Sequence, residues 1–127
     1  MSRFKTEMED NISRAFDNFL KEQLGEYATS VTTYLSGNMF TVRADDCLAP
    51  GEQRLVQNEK HWQLLQEVKT RQFEKVKPLL KERLEELTGC KILKIYSLVG
   101  QDGNRFEVFT LSDNLENRLS KMKETLL

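Results

Sequence analysis

The two cysteines and the one histidine of this sequence, Cys47, Cys90 and His61, are of types that carry out nucleophilic or acid–base chemistry. A catalytic histidine needs an orienting carboxylate and a nucleophile beside it, and the sequence indicates neither for His61. Cys47 precedes a predicted helix and is the better candidate for a reactive thiol, although we expect it to be buried behind Leu48. Cys90 follows the end of a long helix, where the helix dipole raises a thiol pKa. We therefore predict no catalytic residue and no enzymatic activity, and an enzyme that uses Cys47 or His61 is the least favoured alternative.

Carboxylates cluster in one irregular segment of the chain. Asp45 and Asp46 are adjacent, and Glu52 follows closely. Adjacent carboxylates on a strand or turn diverge, and no histidine lies at ligand spacing. Gly100 and Gly103 belong to a predicted hairpin connection, so they do not form a phosphate-binding loop. We expect neither a metal site nor a cofactor.

The charge balance bears on the choice of partner. The chain has 127 residues with 19 basic and 20 acidic side chains, a net charge of −1. Nucleic acids and anionic membranes are usually bound by a clustered basic excess. No apolar run approaches the roughly 20 residues that span a bilayer, and residues 1–7 lack the apolar core of a secretory signal. We expect a cytoplasmic protein that binds no nucleic acid and does not insert into a membrane.

The longest predicted element is a helix from Glu59 to Thr88, with Gly89 as its stop. Its apolar residues, among them Val68 and Phe73, recur every three to five positions, which is typical of a helical stripe. Pro78 removes a backbone hydrogen bond and clashes with the preceding turn. We therefore expect a kink or a break there, between segments of about 18 and about 10 residues.

Shorter elements surround this helix. Period-two alternation predicts two hairpins, and the first leaves Thr32, Tyr34, Thr41 and Arg43 on a solvated face. The remaining elements, in chain order, are a first helix at 4–24 ending at Gly25, strands within 28–45 joined by Ser36-Gly37-Asn38, a short helix from Pro50 to Gln57 with Leu55 and Val56 pointing inward, strands at 91–99 and 105–111 joined by 100–104, and a last helix from Leu115 to Leu127 capped by Asp113 or Asn114.

This order predicts an α+β fold, α-ββ-α-ββ-α. Its simplest packing is two layers, a four-stranded and mostly antiparallel sheet with the helices on one face. We expect one domain over 1–127, with a core at about 4–112 and a C-terminal helix at 113–127. The strongly apolar stripe of the first helix favours core packing, and a share in a dimer interface is the alternative.

Several motifs occur in a recognisable order. They are Leu48-Ala49-Pro50-Gly51-Glu52-Gln53-Arg54-Leu55-Val56, then Pro78 inside the long helix, then Leu87-Thr88-Gly89-Cys90-Lys91-Ile92, and last Val108-Phe109-Thr110-Leu111. In this order and spacing the chain resembles the MpsC family, a bacterial domain of unknown function that is a component of a proposed Na+-translocating, membrane-potential-generating system. Ala49 replaces the family's threonine, and Gly25-Glu26-Tyr27-Ala28 stands where the family has Gly-x-Gly-Pro.

The resemblance implies a small soluble accessory or regulatory protein, linked to membrane systems for ion coupling or inorganic-carbon supply. We expect it to act by binding proteins, as a homodimer and with a protein of the membrane system. The alternative is a small-ligand or anion sensor that uses the segment 45–52 and the open sheet face. Candidate binding residues flank the long helix: Asp46, Cys47, Leu48, Pro50, Glu52, Thr88, Gly89 and Lys91.

Overall fold

The computed structural model of the chain describes residues 3–122. Its elements are α1 (Arg3–Phe19), continued by a π-helical segment (Leu20–Leu24), β1 (Ser30–Ser36), β2 (Met39–Asp45), α2 (Pro50–Leu55), α3 (Glu59–Thr88), β3 (Ile92–Val99), β4 (Arg105–Leu111) and α4 (Leu115–Ser120). The last helix was predicted to reach Leu127, and residues 123–127 lie outside the described part. Asn114 caps α4, because its side chain accepts a hydrogen bond from the backbone N–H of Asn117 at 2.9 Å.

The predicted α+β fold is confirmed. The four strands form one sheet in the order β1-β2-β4-β3, and every neighbouring pair is antiparallel. Both predicted hairpins are present, and Gly37 has a φ of 62° in the turn between β1 and β2. The second hairpin pairs with the first through β2 and β4, so the two edge strands are β1 and β3.

The core lies between the inner face of the sheet and helices α1 and α3. Alternate strand residues face inward, and the rings of Phe40 and Phe109 stack there with centroids 4.6 Å apart. The stripe of α1 packs on this face, with Ile12, Phe16 and Phe19 fully buried. The predicted core role of the α1 stripe is therefore confirmed. Gly25, with a φ of 63°, ends the helical segment as expected.

Helix α3 corrects one prediction, because it runs without a break from Glu59 to Thr88 through Pro78. Proline cannot donate the usual bond to the carbonyl of Glu74, four residues earlier. Both residues are exposed, so water can satisfy that carbonyl. The predicted break at Pro78 is therefore wrong, and the alternative, a kink within a continuous helix, stays a prediction.

Two side chains face the opposite way from their prediction. Val68 is 49% exposed, and the neighbouring Lys69 takes the inward position on α3. Leu55 is 45% exposed, whereas Val56 is buried as expected, in a small cluster with Leu48 and Trp62. Successive helical residues are about 100° apart, so only one of each pair can face the neighbouring layer.

Candidate functional site

Four charged side chains meet between α3 and the inner face of the sheet. Glu26, Lys69, Arg105 and Glu107 are each at most 5% exposed, and we call them the buried charge cluster. Charged groups are rarely buried unless they are paired. A buried group of four is therefore the strongest candidate for chemistry in this fold.

Local structure explains how each member reaches the cluster. On β4 the alternate residues Arg105 and Glu107 continue the inward face that also carries Phe109. Lys69 lies one helical turn before the buried Phe73 on α3. Glu26 follows the left-handed Gly25, and its own N–H donates to the carbonyl of Leu20 at 3.1 Å, which turns the chain toward the sheet.

Arg105 makes the central contacts of the cluster. Its Nε and Nη2 donate to Oε1 and Oε2 of Glu26 at 3.2 and 3.1 Å, and its Nη1 donates to Glu107 Oε1 at 3.2 Å. Lys69 Nζ donates to Glu26 Oε2 at 3.0 Å and lies 3.4 Å from Oε1 of Glu52. Within residues 3–122, every buried side-chain nitrogen and oxygen has a hydrogen-bond partner. The cluster therefore satisfies its own polar groups.

Burial and charge together set the proton affinities in the cluster. Burial raises the pKa of Glu107 to about 7, although Arg105 and the hydroxyl of Ser97, which donates to Glu107 Oε2, favour the ionised form. For Arg105, burial lowers the pKa, but Glu26 and Glu107 raise it by more, so that the pKa is raised overall. The guanidinium carbon of Arg105 also lies 5.5 Å from the ring centroid of Phe73. Glu107 is thus a carboxyl group that titrates near neutral pH.

Two clefts open on either side of the cluster. One, of about 350 Å³, lies between α3 and β3, with Phe73, Ser97 and Arg105 in its wall. The other, of about 360 Å³, lies between the loop after Gly25 and the start of α2, with Glu26 and Glu52 in its wall. Lys69 lines both clefts. Among the described residues, no group of three or more His, Cys, Asp or Glu side chains is arranged to hold a metal ion.

Comparison with known proteins supplies the family. A model of the MpsC family, described as "Na+-translocating membrane potential-generating system (MpsC)", matches residues 4–113. The chain belongs to the MpsC family. It is also similar to the uncharacterized protein YbcI of Bacillus subtilis (strain 168), at 26% identity over 123 residues that cover 96% of this chain and 99% of that protein. No solved structure matches the chain.

The first MpsC motif borders the cluster. Cys47, Leu48, Pro50 and Glu52 line the cleft at the start of α2. The N–H of Ala49 donates to Oε1 of Glu52 at 2.9 Å. The carboxylate of Glu52 therefore occupies the position near the start of α2 that a bound anion would need.

Asp46 lies beside this group, in a different cleft. That cleft also contains Leu48 and Gly103. Asp46 has a φ of 56°, and its Oδ2 accepts a hydrogen bond from Thr29 Oγ1 at 2.8 Å. The structure thus brings the predicted residues between 46 and 52 together around this cleft and the cleft at the start of α2.

The second MpsC motif lies at the far end of α3. A helix of 30 residues is about 45 Å long, so Thr88, Gly89 and Lys91 do not share a site with the first motif. Gly89 has a φ of 71° and ends the helix, and Arg118 donates to the carbonyls of Thr88 and Gly89. The N–H of Lys91 donates to Oγ of Ser112 at 3.2 Å. These contacts give the second motif a structural role in ending α3.

Cys47, Cys90 and His61 have different surroundings. Cys47 is buried, and burial together with the nearby Glu26 raises its thiol pKa to about 11. Cys90 is buried as well, and burial raises its pKa. His61 is exposed in the first turn of α3, where its N–H donates to the side chain of Asn58 at 3.2 Å. Neither thiol is activated.

Sequence reasoning missed all four members of the cluster. Two signals were present. Arg105 and Glu107 precede Phe109 with period two on a predicted strand, which places them on the buried face. Lys69 lies between Trp62 and Phe73 at helical spacing. For Glu26 no local pattern indicates burial, since its position depends on contacts with residues far along the chain.

Proposed function

We propose that this MpsC-family chain is an accessory subunit that acts in the cytoplasm by binding a membrane-embedded protein of its system, and that it is not an enzyme. The description of the family, as a Na+-translocating membrane potential-generating system, supports the link to a membrane system. Every helix within residues 3–122 is too short or too polar to span a bilayer. The described part would therefore meet such a system through a surface.

The observation that carries this proposal is the outer face of the sheet. No described helix packs on it, and apolar side chains lie in adjacent rows across all four strands. These side chains, which we call the open face, are Tyr34, Met39, Tyr96, Leu98, Phe106 and Val108. Tyr34 and Leu98 are 56% and 61% exposed. Soluble proteins rarely expose large contiguous apolar patches unless the patch binds something.

The chemistry of the open face favours a protein as its partner. Aromatic residues, methionine and arginine are enriched at the centres of protein interfaces. The open face combines these types, since the guanidinium of Arg43 lies 5.8 Å from the ring centroid of Phe106. Arg43 also pairs with Asp45 at 2.7 Å, so the positive charge of Arg43 is partly neutralised. Lys94 is the other basic residue among the outward positions of the four strands, and two separated basic side chains do not make the clustered basic excess that binds an anionic membrane or a nucleic acid.

A non-catalytic role is supported by the state of the polar groups. The cluster residues are hydrogen-bonded to one another, and the raised pKa of Cys47 opposes its use as a nucleophile. A group that must first leave a closed, buried network is poorly placed to act on a substrate.

The proposal is tested by co-purification, in detergent, of the tagged chain with a membrane protein from the cells that encode it. Phe106→Glu and Val108→Glu place charge in the middle of the open face, and Leu64→Glu is the matched control on α3, where Leu64 is 60% exposed. We expect the wild-type chain and the control to be retained with the membrane protein in detergent, and both open-face variants to be lost. Lack of wild-type retention, or equal retention of all four proteins, would contradict the proposal.

The cleft at the start of α2 supports a second candidate, a sensor of small ligands. Its volume of about 360 Å³ falls within the usual range for ligand sites. Lys69 and Glu52 would supply the polar contacts there. A thermal-shift panel of bicarbonate, phosphate and nucleotides tests this candidate: a ligand that raises the melting temperature in wild type but not in Lys69→Met supports it, and a flat panel excludes it.

A further inference from the structure

The two edge strands of the sheet, β1 and β3, differ in how much of each is contacted by the rest of the fold. On β1, the outward N–H of Leu35 donates to Oε2 of Glu9 on α1 at 2.8 Å. The hydroxyls of Ser13, also on α1, and Thr33 are 2.7 Å apart. Glu9 thus takes up one outward backbone N–H of β1, and α1 packs beside this strand. A backbone donor that is already bonded and a neighbouring helix hinder the pairing of a further strand at this edge.

The β3 edge has no such cover. In the described part of the chain, the backbone from 93 to 99 makes hydrogen bonds only with β4. Leu93, Tyr96 and Leu98 are 63%, 55% and 61% exposed on this strand. Beside the edge, the cleft toward α3 leaves the inner side of β3 partly uncovered. A row of unpaired backbone groups that carries exposed apolar side chains is a template for pairing with a further strand.

We propose that β3 pairs antiparallel with β3 of a second copy of this chain, which joins two four-stranded sheets into one of eight strands. This inference does not depend on the proposed accessory function. A strand that pairs with its own copy about a two-fold axis makes a closed interface in which the same residues are used on both sides. In this dimer the β3 edge of each chain is paired. The two outer edges of the joined sheet are then the β1 strands, each of which has α1 packed beside it.

The sequence of β3 is complementary to itself in this arrangement. Pairing centred on Tyr96 places Tyr96 opposite its copy and Lys94 opposite Leu98 of the other chain. Lys94 is the one charged residue among 92–99, so this register separates the two positive charges. It also forms an aromatic cross-strand pair, of a kind that stabilises sheets. A register centred on Lys94 would place like charges together and is disfavoured.

The symmetry has a consequence for the open face. Two antiparallel strands related by a two-fold axis require that axis to be perpendicular to the sheet. Residues directly opposite each other then point to the same side. Both open faces would lie on one side of the eight-stranded sheet, and all the helices would lie on the other.

Analytical ultracentrifugation over a micromolar concentration series tests the inference on the full chain. Tyr96→Lys adds a charge opposite its own copy, and Tyr34→Lys is the matched control, because Tyr34 is equally exposed on the same face but belongs to the covered edge. We expect a wild-type dimer, a dissociation constant raised about tenfold or more in Tyr96→Lys, and little change in Tyr34→Lys. A monomeric wild type, or equal effects of the two variants, would overturn the proposal.

Cross-linking gives a second readout that does not rely on weakening the dimer. Native Cys47 and Cys90 are buried, so in the folded protein an introduced thiol is the one exposed to a mild oxidant such as copper phenanthroline. Tyr96→Cys should form an intermolecular disulfide, whereas Tyr34→Cys should stay monomeric. Equal yields from the two variants, or none from Tyr96→Cys, would overturn the β3 pairing. Phe106→Glu and Val108→Glu should leave the dimer intact, which separates this result from failure of the accessory function.

Discussion

Arg105 holds both carboxylate oxygens of Glu26, through Nε at 3.2 Å and Nη2 at 3.1 Å, although the two residues are 79 positions apart in the chain. The pair joins the loop after the first helix to the start of β4. Two-point contacts between a guanidinium and a carboxylate fix orientation as well as distance. Lys69 adds a contact from α3 to the same carboxylate. The cluster therefore ties together three parts of the chain that no local interaction would bring together.

Removal of Arg105 should strongly destabilise the fold. Arg105→Met keeps much of the side-chain volume but leaves Glu26 and Glu107 buried without their main counter-charge. Loss of one partner from a buried pair typically costs about 3–5 kcal/mol, so we expect a reduction of that order in the free energy of unfolding, measured by urea denaturation. The partly exposed Arg43, which pairs with Asp45 at 2.7 Å, is the control. Arg43→Met should have a much smaller effect, and equal losses would contradict the role assigned to the cluster.

Glu107 should make stability depend on pH. Burial raises its folded-state pKa from 4.5 to about 7, so the folded state binds this proton more tightly than the unfolded state does. The stabilising contribution of that proton is complete below about pH 4.5 and is lost as the pH rises toward 7. Glu107→Gln removes the titration while it keeps the shape of the side chain.

The measurement is the free energy of unfolding of both proteins between pH 5 and 8. The wild-type value minus the variant value should fall across this interval, by on the order of 2 kcal/mol. Two profiles that stay parallel throughout the interval would exclude the raised pKa.

Patterns local in sequence predicted most of the fold. Alternation in Phe40 and Val42 indicated the inner face of β2, and both are fully buried. Gly25 and Gly89 marked helix ends, and both have positive φ. These signals depend on backbone geometry within a few residues, so a single sequence contains them. The break predicted at Pro78 is absent because the cost of the missing hydrogen bond depends on whether water can reach the carbonyl of Glu74, which is a property of the folded surface.

The cluster was harder to predict, because its partners come from distant parts of the chain. Lys69 lies on the buried side of α3. A stripe predicted from apolar residues alone includes the neighbouring Val68 and leaves Lys69 out. Arg105 and Glu107 alternate with the same period of two as Phe109 on β4. That alternation is the one local signal from which their burial could have been predicted. Which carboxylate each would meet could not be read from spacing, since Glu26 reaches the cluster through the packing of α1 on the sheet.

Cys47 should be inert toward thiol reagents in the folded protein. It is 4% exposed, and burial together with Glu26 raises its pKa to about 11. In a Cys90→Ala background, Cys47 is the one remaining thiol. Its reaction with Ellman's reagent at pH 8 should be about a hundredfold or more slower in the native protein than in urea, because only the exposed thiolate reacts. Native labelling at the unfolded rate would show that Cys47 is accessible and reactive.

Gly89 should be required for its backbone conformation at the end of α3. Its φ of 71° lies in the left-handed region, and the nearest atom to an added Cβ would be Nη2 of Arg118 at 3.5 Å. Because that contact is ordinary, the cost of Gly89→Ala should come from the backbone, at about 1–2 kcal/mol. Gly51 in α2 is the matched control: its φ is not in that region, and no atom lies within 4 Å of an added Cβ. Urea denaturation should show a clear loss for Gly89→Ala and none, or a slight gain, for Gly51→Ala. Equal effects would mean that the left-handed conformation of Gly89 does not control how α3 ends.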